Sequence, residues 1–236
     1  MSEQKISISA FFPCYNDGGT IASMVLGALI TLKEITDDYE VIVIDDGSTD
    51  ASRAILKKLS DDYSEVKIVF HPKNRGYGGA LLSGFSAATK EFIFYTDGDA
   101  QYDVRELKKL VSVLDSNVDV VQGYKVKRLD PIHRVIIGKL YQNIMRFMFG
   151  LKIRDVDCDF RLIRRKVFDR VQLKKTSGVI CLEMVKKIQD AGFRFVEVPV
   201  NHFFRAYGRS QFFNFKRVFK VGVDIIGLWW ELVVKP

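Results

Sequence analysis

The stretch FIFYTDGDAQYD, residues 92–103, predicts a buried strand that runs straight into a carboxylate-rich turn. Asp97 and Asp99 follow the apolar residues one position apart, and Gln101 comes two positions later. Two carboxylates this close repel each other unless a cation lies between them, and hard divalent cations prefer carboxylate and amide oxygens. On spacing alone, a solvated turn that leads into a helix capped by Asp103 is equally compatible with the stretch.

Strands and helices alternate on both sides of this stretch. Pro13 is expected to end the first strand, and the second strand is entirely apolar, as expected for a strand covered on both faces. This alternation predicts βαβ units and therefore an α/β fold with a mostly parallel sheet. Strands are predicted at 5–12, 41–44, 66–70, 92–96, 118–123 and 193–198, the last of them ended by Pro199. Helices are predicted at 20–34, from about 50 through 59, at 80–88, at 104–114 and at 178–191.

Further acidic residues follow the first two predicted strands. Asp17 lies in the loop after the first strand, and Asp45 and Asp46 end the second. Open parallel sheets bind ligands at the carboxyl ends of their strands, so these carboxylates are expected to meet Asp97 and Asp99 at one edge. This convergence favours a functional site over a simple turn.

Two common phosphate-binding motifs are absent from the sequence. No GxGxxG follows the first strand, and no GxxxxGK[ST] occurs, which excludes a dinucleotide fingerprint and a P-loop. The glycines of GYGG, residues 76–79, precede a helix and are compatible with phosphate binding, but a plain tight turn is the favoured interpretation.

Charge is distributed unevenly along the 236 residues. Residues 1–120 carry 12 Lys and Arg against 19 Asp and Glu, whereas residues 121–236 carry 24 against 10. This asymmetry predicts an acidic half that handles a metal and a basic half that meets an anionic partner. The three widely spaced cysteines fit neither a disulfide scaffold nor a zinc site, and they indicate a reducing compartment. No signal peptide is expected at the amino terminus.

The basic half contains three segments with two interpretations each. The helical stretch 132–149 is either a core helix with a basic flank or an amphipathic helix at a lipid surface. The basic, aromatic loop 201–217 suits single-stranded nucleic acid or closure over a phosphorylated substrate. The apolar segment 218–236 is too short and too charged to span a bilayer, so it either lies in the interface or packs on the protein.

Five motifs in order carry a resemblance over essentially the whole chain. They are PCYND (13–17), DDGSTD (45–50), NRGYGGAL (74–81), DGDAQYD (97–103) and EVPVNHFFRAYGRS (197–210). The chain resembles the inverting glycosyltransferases of family 2, and within them the dolichyl-phosphate mannose synthases and polyprenyl-phosphate glycosyltransferases. The resemblance implies a GT-A, Rossmann-like sheet flanked by helices, with C-terminal amphipathic helices. It further implies a catalytic domain at 1–212, divided into a nucleotide and metal half (1–123) and an acceptor half (124–212), and an amphipathic, membrane-associating helix at 213–236.

The resemblance also implies roles for individual residues. The residues implied to bind the donor nucleotide sugar are Pro13, Tyr15, Asp17, one of Asp45 or Asp46, Arg75 and Asp97. Those implied to bind the metal, Mg²⁺ or Mn²⁺, are Asp97, Asp99 and Gln101. Those implied to bind the acceptor phosphate are Lys125, Arg134, Arg205 and Ser210. An ionised phosphate acceptor needs no general base, whereas a hydroxyl acceptor needs one, for which Asp155 and Asp157 are the candidates. Asp159 is expected to pair with Arg161.

The implied reaction moves a hexose from a GDP-mannose or UDP-glucose type donor to a polyprenyl or dolichyl phosphate. The enzyme is expected in the cytoplasm, peripheral on the cytoplasmic membrane face, with a membrane-anchoring partner or as a homo-oligomer. A family 2 enzyme with a saccharide or other hydroxyl acceptor is the alternative. A nucleic-acid partner is not expected, because binding through backbone charge needs no clustered carboxylates. A nucleotidyltransferase is disfavoured because CYNDGG, residues 14–19, contains no basic residue.

Overall fold

One seven-stranded sheet forms the centre of the computed structural model. The structure describes residues 6–128, 132–205, 207 and 215–235, and for residues 127–128, 132–134 and 215–219 it describes the backbone alone. The strand order is β3-β2-β1-β4-β6-β5-β7, and β6 runs antiparallel to both of its neighbours. The predicted α/β fold with a mostly parallel sheet is therefore confirmed. The strands are β1 (Ile8–Cys14), β2 (Tyr39–Asp45), β3 (Val66–Phe70), β4 (Phe92–Thr96), β5 (Val120–Arg128), β6 (Phe160–Arg164) and β7 (Phe195–His202).

Helices cover both faces of this sheet. α1, α2 and α4 contribute to a cluster on one face, and α3 and α6 contribute to a second cluster on the other. A third cluster joins α5, α6 and α7. The helices are α1 (Ile21–Ile35), α2 (Ser52–Asp62), α3 (Tyr77–Ala87), α4 (Leu107–Val111), α5 (Ile132–Phe149), α6 (Ile180–Asp190) and α7 (Phe215–Trp229). Within the described ranges, no helix combines the length and hydropathy needed to cross a bilayer.

The two strand ends predicted at prolines are wrong, and β5 continues to Arg128, beyond its predicted end at residue 123. β1 continues through Pro13 because its pairing with β4 stops at Phe11, so the missing N–H leaves no gap in that ladder. β7 continues through Pro199 because this edge strand pairs only with β5. Proline is tolerated in strands where no ladder hydrogen bond is required of its nitrogen.

The helix predicted at 104–114 is shorter than expected, and β6 was not predicted. A 3₁₀ turn at Val104–Glu106, capped by Asp103, leads into α4. β6 lies between two groups of basic residues and is only five residues long, which is too short to show a clear alternation of apolar and polar side chains.

The strand order reverses between β1 and β4. The chain lays β2 and β3 on one side of β1 and then places β4 on the other side. Loops diverge at such a point and leave a crevice at the carboxyl ends of the strands. Antiparallel β6 begins at this same edge, where Phe160 lies opposite Thr96. The residues before β6 therefore meet the carboxylates after β4.

Candidate active site

The loops after β1 and β2 form one hydrogen-bonded unit. Asn16 adopts a left-handed conformation (φ 58°), which asparagine tolerates better than most residues. Its side-chain oxygen accepts the amides of Thr49 (2.8 Å) and Asp50 (3.3 Å), and its own amide donates to the Ser48 hydroxyl (3.0 Å). The Gly18 amide donates to the Asp50 carboxylate (3.1 Å). This wall of the crevice is therefore held in shape by the protein itself.

Asp45 and Asp46 are buried and support the loops around them. Asp45 pairs with Arg53, whose Nε lies 2.7 Å from its carboxylate. Asp46 accepts the amide of Gly76 (3.0 Å) and lies 2.6 Å from His71 Nδ1. Both predicted nucleoside ligands thus lie at the expected edge, where their carboxylates already have protein partners.

Arg75 lies next to Asp46, but its side chain runs along α3. Its amide donates to Asp46 (2.8 Å), whereas its guanidinium lies 3.3 Å from the Ser83 hydroxyl. The glycines that follow allow close packing, because a Cβ on Gly78 would lie 2.5 Å from the Lys175 carbonyl oxygen. Gly78 thus allows α3 to pack closely against the backbone at Lys175.

Asp17 faces the crevice in a largely buried position. Burial raises the pKa of its carboxyl to about 6, although the Tyr15 amide donates to it at 3.2 Å. The same loop contacts the loop after β4, since the Thr20 hydroxyl donates to the Gly98 carbonyl (2.9 Å). A Cβ on Gly98 would come within 2.8 Å of the Pro13 carbonyl oxygen. Pro13 and Asp17 thus lie close to the carboxylate-rich segment after β4, as predicted for Asp17.

The segment after β4 presents its polar side chains around a tight turn. Ala100 takes a positive φ of 59°. Asp99 is buried and accepts the Gln101 amide (3.0 Å) and the Arg205 guanidinium (2.5 Å). The side-chain nitrogen of Gln101 donates to the Phe203 carbonyl (3.1 Å), which orients the amide and turns its oxygen away from that contact. The acidic half and the basic half of the chain meet here.

A buried polar network lies beneath Asp97. The Tyr77 hydroxyl donates to Asp97 (2.8 Å), and Asp159 pairs with Arg161 (2.9 Å), as predicted. Burial and the neighbouring charges of Asp159 and Asp99 raise the pKa of Asp97 well above its usual range. Burial also raises the pKa of Asp159. The negative charge concentrated here suits a site that receives a cation.

The sequence did not identify Tyr77 and Asp159 as neighbours of Asp97. Tyr77 lies inside GYGG, a segment whose glycines indicate only a turn or a phosphate loop. Asp159 is 62 positions away from Asp97 along the chain. An antiparallel β6 brings Asp159 to the carboxyl end of β4, so recognising that strand was the missing signal.

Asp155, Asp157 and Lys125 form the other side of the site. Buried Asp155 accepts the Gln142 side chain (2.5 Å) and the amides of Asp157 (3.2 Å) and Lys125 (3.3 Å). The Lys125 ammonium donates to the Asp157 carbonyl oxygen (2.7 Å) and lies 3.7 Å from the Asp155 carboxylate. Asp155 thus shapes this wall, and Asp157 is the more accessible of the two base candidates.

Two predicted acceptor residues have no described side chain. Arg134 lies in the first turn of α5, and its side chain is outside the description. Ser210 lies outside the described residues altogether.

The side chains after β4 suit a hard divalent cation. No three His, Cys, Asp or Glu side chains converge into a complete metal cage in the part of the chain that is described. Mg²⁺ usually takes only one or two carboxylates and completes its shell with water and substrate phosphates. Asp97, Asp99 and the Gln101 amide oxygen fit that incomplete ligand set.

A family model described as glycosyl transferase family 2 matches residues 9–172, which include all of these strands except β7. The chain belongs to glycosyl transferase family 2.

One curated relative and two solved structures place this glycosyltransferase among known proteins. Glycosyltransferase AglD of Haloferax volcanii is 28% identical over 240 residues, which cover 98% of this chain and 38% of the relative. The glucosyl-3-phosphoglycerate synthase of Mycobacterium tuberculosis, solved with Mn²⁺, UDP and glucosyl-3-phosphoglycerate, has a TM-score of 0.72 at 17% identity, covering 98% of this chain and 81% of that one. Mannosyltransferase PcManGT of Pyrobaculum calidifontis, solved with GDP-Man and Mn²⁺, has a TM-score of 0.69 at 19% identity, covering 99% and 66%. At these identities the two structures show the shared fold.

The ionised carboxylate of Asp17 should lower the free energy of unfolding at neutral pH. Because the pKa is raised to about 6 in the folded chain, the fold binds this proton more tightly than the unfolded chain does. Stability is lost as the pH rises from about 4 to 6 and stays lowered above that. We expect Asp17→Asn to raise the free energy of unfolding by about 2 kcal/mol at pH 7.5, and by much less at pH 4, in urea unfolding.

Asp50 supplies a control of opposite sign. Burial opposes its ionisation, but hydrogen bonds from Ser52 and Gly18 outweigh that cost and lower its pKa. Asp50→Asn should therefore reduce stability at pH 7.5. A loss of stability in Asp17→Asn equal to that in Asp50→Asn would contradict the prediction.

Proposed function

We propose that this enzyme moves a hexose from a GDP-mannose or UDP-glucose type donor to a polyprenyl or dolichyl phosphate at the cytoplasmic face of a membrane. The observation that carries the proposal is the contact between the two halves of the chain, where the Asp99 carboxylate meets Arg205 beside Gln101. In this proposal the carboxylates serve a metal and Arg205 serves an anionic acceptor, and the two groups are in direct contact in the structure.

The nucleotide side of the proposal assigns the metal to three side chains. Asp97, Asp99 and the Gln101 amide oxygen are proposed to hold Mg²⁺ or Mn²⁺, in agreement with the Mn²⁺ bound in both structural relatives. The bound metal neutralises charge on the departing nucleoside diphosphate. For the nucleoside we propose Pro13, Tyr15 and Asp17 as direct contacts, with Asp45, Asp46 and Arg75 in the wall behind them.

The acceptor side is proposed to act through cations. Lys125, Arg134, Arg205 and Ser210 are assigned to the acceptor phosphate. An acceptor phosphate oxygen forms the new bond to the anomeric carbon, and the bond to the nucleoside diphosphate breaks on the opposite face with its electron pair. The phosphate is already ionised at neutral pH, so the cations position it and no proton has to be removed.

The domain division is part of the same proposal. Residues 1–123 would bind nucleotide and metal, residues 124–212 the acceptor, and residues 213–236 would form an amphipathic element at the membrane. The bond between Gln142 on α5 and Asp155 supports an acceptor half that includes α5.

A hydroxyl acceptor is the second candidate, because Asp157 lies beside Lys125 with a partly exposed side chain. In that reaction a carboxylate removes the hydroxyl proton, and Asp157 is better placed than buried Asp155. The structural relative solved with glucosyl-3-phosphoglycerate shows that a chain of this fold binds such a product.

The substitution Arg134→Ala separates the two acceptors. With a short polyprenyl phosphate we expect kcat/KM to fall by about 100-fold, because a cation that positions the phosphate is lost, while donor hydrolysis stays within about 3-fold. Radiolabelled transfer and nucleotide release measure the two rates. Arg165→Ala is the matched control, since that arginine bonds to the Lys90 carbonyl at the opposite edge of the sheet. An Arg134→Ala enzyme with unchanged phosphate transfer would favour the hydroxyl acceptor.

A further inference from the structure

The Asp97 carboxylate is held by one side chain. The Tyr77 hydroxyl donates a hydrogen bond to its Oδ1 atom at 2.8 Å. Within the described ranges Asp97 has no second hydrogen-bond donor, so its Oδ2 atom is left for a ligand. Asp99 differs, because both of its carboxylate oxygens have donors in the protein, the Gln101 amide and the Arg205 guanidinium. The orientation of Asp97 therefore depends on Tyr77.

The backbone on either side of Tyr77 is packed against one neighbouring residue, Thr176. Gly76 has a φ of 84°, and a Cβ there would lie 2.8 Å from the Thr176 carbonyl oxygen. The Gly78 amide donates to that same oxygen at 2.9 Å. The contact fixes the first turn of α3, and with it the point from which the Tyr77 side chain extends towards Asp97.

The segment that carries Thr176 is itself anchored by a buried carboxylate. Glu183 on α6 is buried, and it accepts the backbone amides of Lys174 (3.1 Å) and Lys175 (2.9 Å). Buried polar networks whose members are hydrogen-bonded make a structure rigid. A continuous set of contacts therefore runs from α6 through Thr176 to Tyr77, and the hydroxyl is presented to Asp97 from a fixed part of the fold.

We propose that Tyr77 is a positioning residue, which orients the Asp97 carboxylate so that its second oxygen faces the metal. The inference rests on the proposed function, which assigns the metal to Asp97. Hydrogen-bond partners of ligating carboxylates fix the orientation of the ligand, and their removal typically lowers metal affinity or activity by about 10- to 100-fold. The phenol is a neutral donor at neutral pH, so it orients the carboxylate without cancelling the negative charge that attracts a cation.

A purely structural role for the Tyr77 hydroxyl makes a different prediction. Removing the hydroxyl leaves the Asp97 carboxylate without its donor in either case, so a loss of stability does not separate the two roles. Metal affinity does separate them. A hydroxyl that served only the fold would leave the Mn²⁺ affinity of the folded protein unchanged, whereas a positioning hydroxyl sets that affinity through the carboxylate.

The substitution Tyr77→Phe removes the hydroxyl and keeps the ring. We expect the Mn²⁺ dissociation constant, measured by calorimetry with saturating UDP or GDP, to rise by about 10-fold or more. Sugar transfer at limiting Mn²⁺ should fall by a similar factor, and saturating Mn²⁺ should restore it to within about 3-fold of the unmodified enzyme. Tyr102→Phe is the matched control, because Tyr102 is also buried but its hydroxyl bonds to Cys158. Thermal unfolding by circular dichroism establishes that each variant folds.

Three results would overturn the positioning role. They are a Mn²⁺ dissociation constant that Tyr77→Phe leaves unchanged, an equal rise in Tyr102→Phe, and transfer that saturating Mn²⁺ does not restore. Asp97→Asn tests the metal assignment itself in the same calorimetric experiment. If Asp97→Asn leaves Mn²⁺ affinity unchanged, the assignment fails and the positioning role fails with it. If Asp97→Asn weakens Mn²⁺ binding and Tyr77→Phe does not, the positioning role alone fails.

Discussion

Asp99→Asn should lower sugar transfer by about 1000-fold or more while the protein stays folded, because a neutral amide cannot replace a carboxylate that holds a divalent cation on the departing diphosphate. Asn keeps the size of the side chain and an oxygen for the Gln101 amide. The measurement is transfer from a radiolabelled nucleotide sugar with saturating Mn²⁺, alongside Mn²⁺ binding by calorimetry. Both should be lost together.

Asp103 provides the control for this substitution. It lies four positions later, caps the 3₁₀ turn before α4 and pairs with Arg105 at the surface (2.7 Å). Asp103→Asn should change transfer by no more than about 3-fold, since exposed ion pairs contribute roughly 0 to 1 kcal/mol. Normal transfer by Asp99→Asn would exclude Asp99 from the metal site.

Arg161→Met should reduce the free energy of unfolding by about 3 to 5 kcal/mol, because it leaves the largely buried Asp159 carboxylate without its cation. Arg161 is 1% exposed and donates to Asp159 (2.9 Å), the Tyr95 hydroxyl and the Gln122 side chain. Methionine fills much of the volume of the arginine side chain, so the expected loss of stability comes from the missing charge and hydrogen bonds more than from a cavity. Urea unfolding at pH 7.5 measures it.

Arg164 on the same strand is the matched control. It pairs with Glu91 at the amino edge of the sheet, and that carboxylate is well exposed. We expect Arg164→Met to cost about 1 to 2 kcal/mol, mainly through its bonds to backbone carbonyls. Adding Asp159→Leu to Arg161→Met should recover part of the loss, because the unpaired charge is removed. Equal losses in the two arginine variants would refute the role of the buried pair.

The parallel part of the sheet was predictable from sequence because its strands carry strong local signals. β3 and β4 have the predicted boundaries, since their apolar runs end at polar or acidic residues. The misplaced ends at Pro13 and Pro199 depend on which neighbour each strand pairs with at that residue. That information is tertiary, and a local rule for proline cannot supply it.

The candidate site was predictable where its residues follow a strand directly. Asp17, Asp97, Asp99 and Gln101 lie together, because parallel strands end at one edge. The contacts of the Asp46 carboxylate with the Gly76 amide and His71 Nδ1 were not predictable, since they depend on how the loop after β3 folds back onto β2. For the same reason the sequence could not separate a buried supporting carboxylate from an accessible one.

If Asp99 holds the metal as proposed, the metal and Arg205 would compete for one of its carboxylate oxygens. Asp99 offers one carboxylate oxygen to the Gln101 amide and the other to Arg205. If a divalent cation took the second oxygen, it would have to displace the guanidinium, so the interactions that hold Arg205 in place would weaken metal binding to the same degree, by thermodynamic linkage. The contact between Arg205 and Asp99 would therefore lower the affinity of the proposed site for the metal.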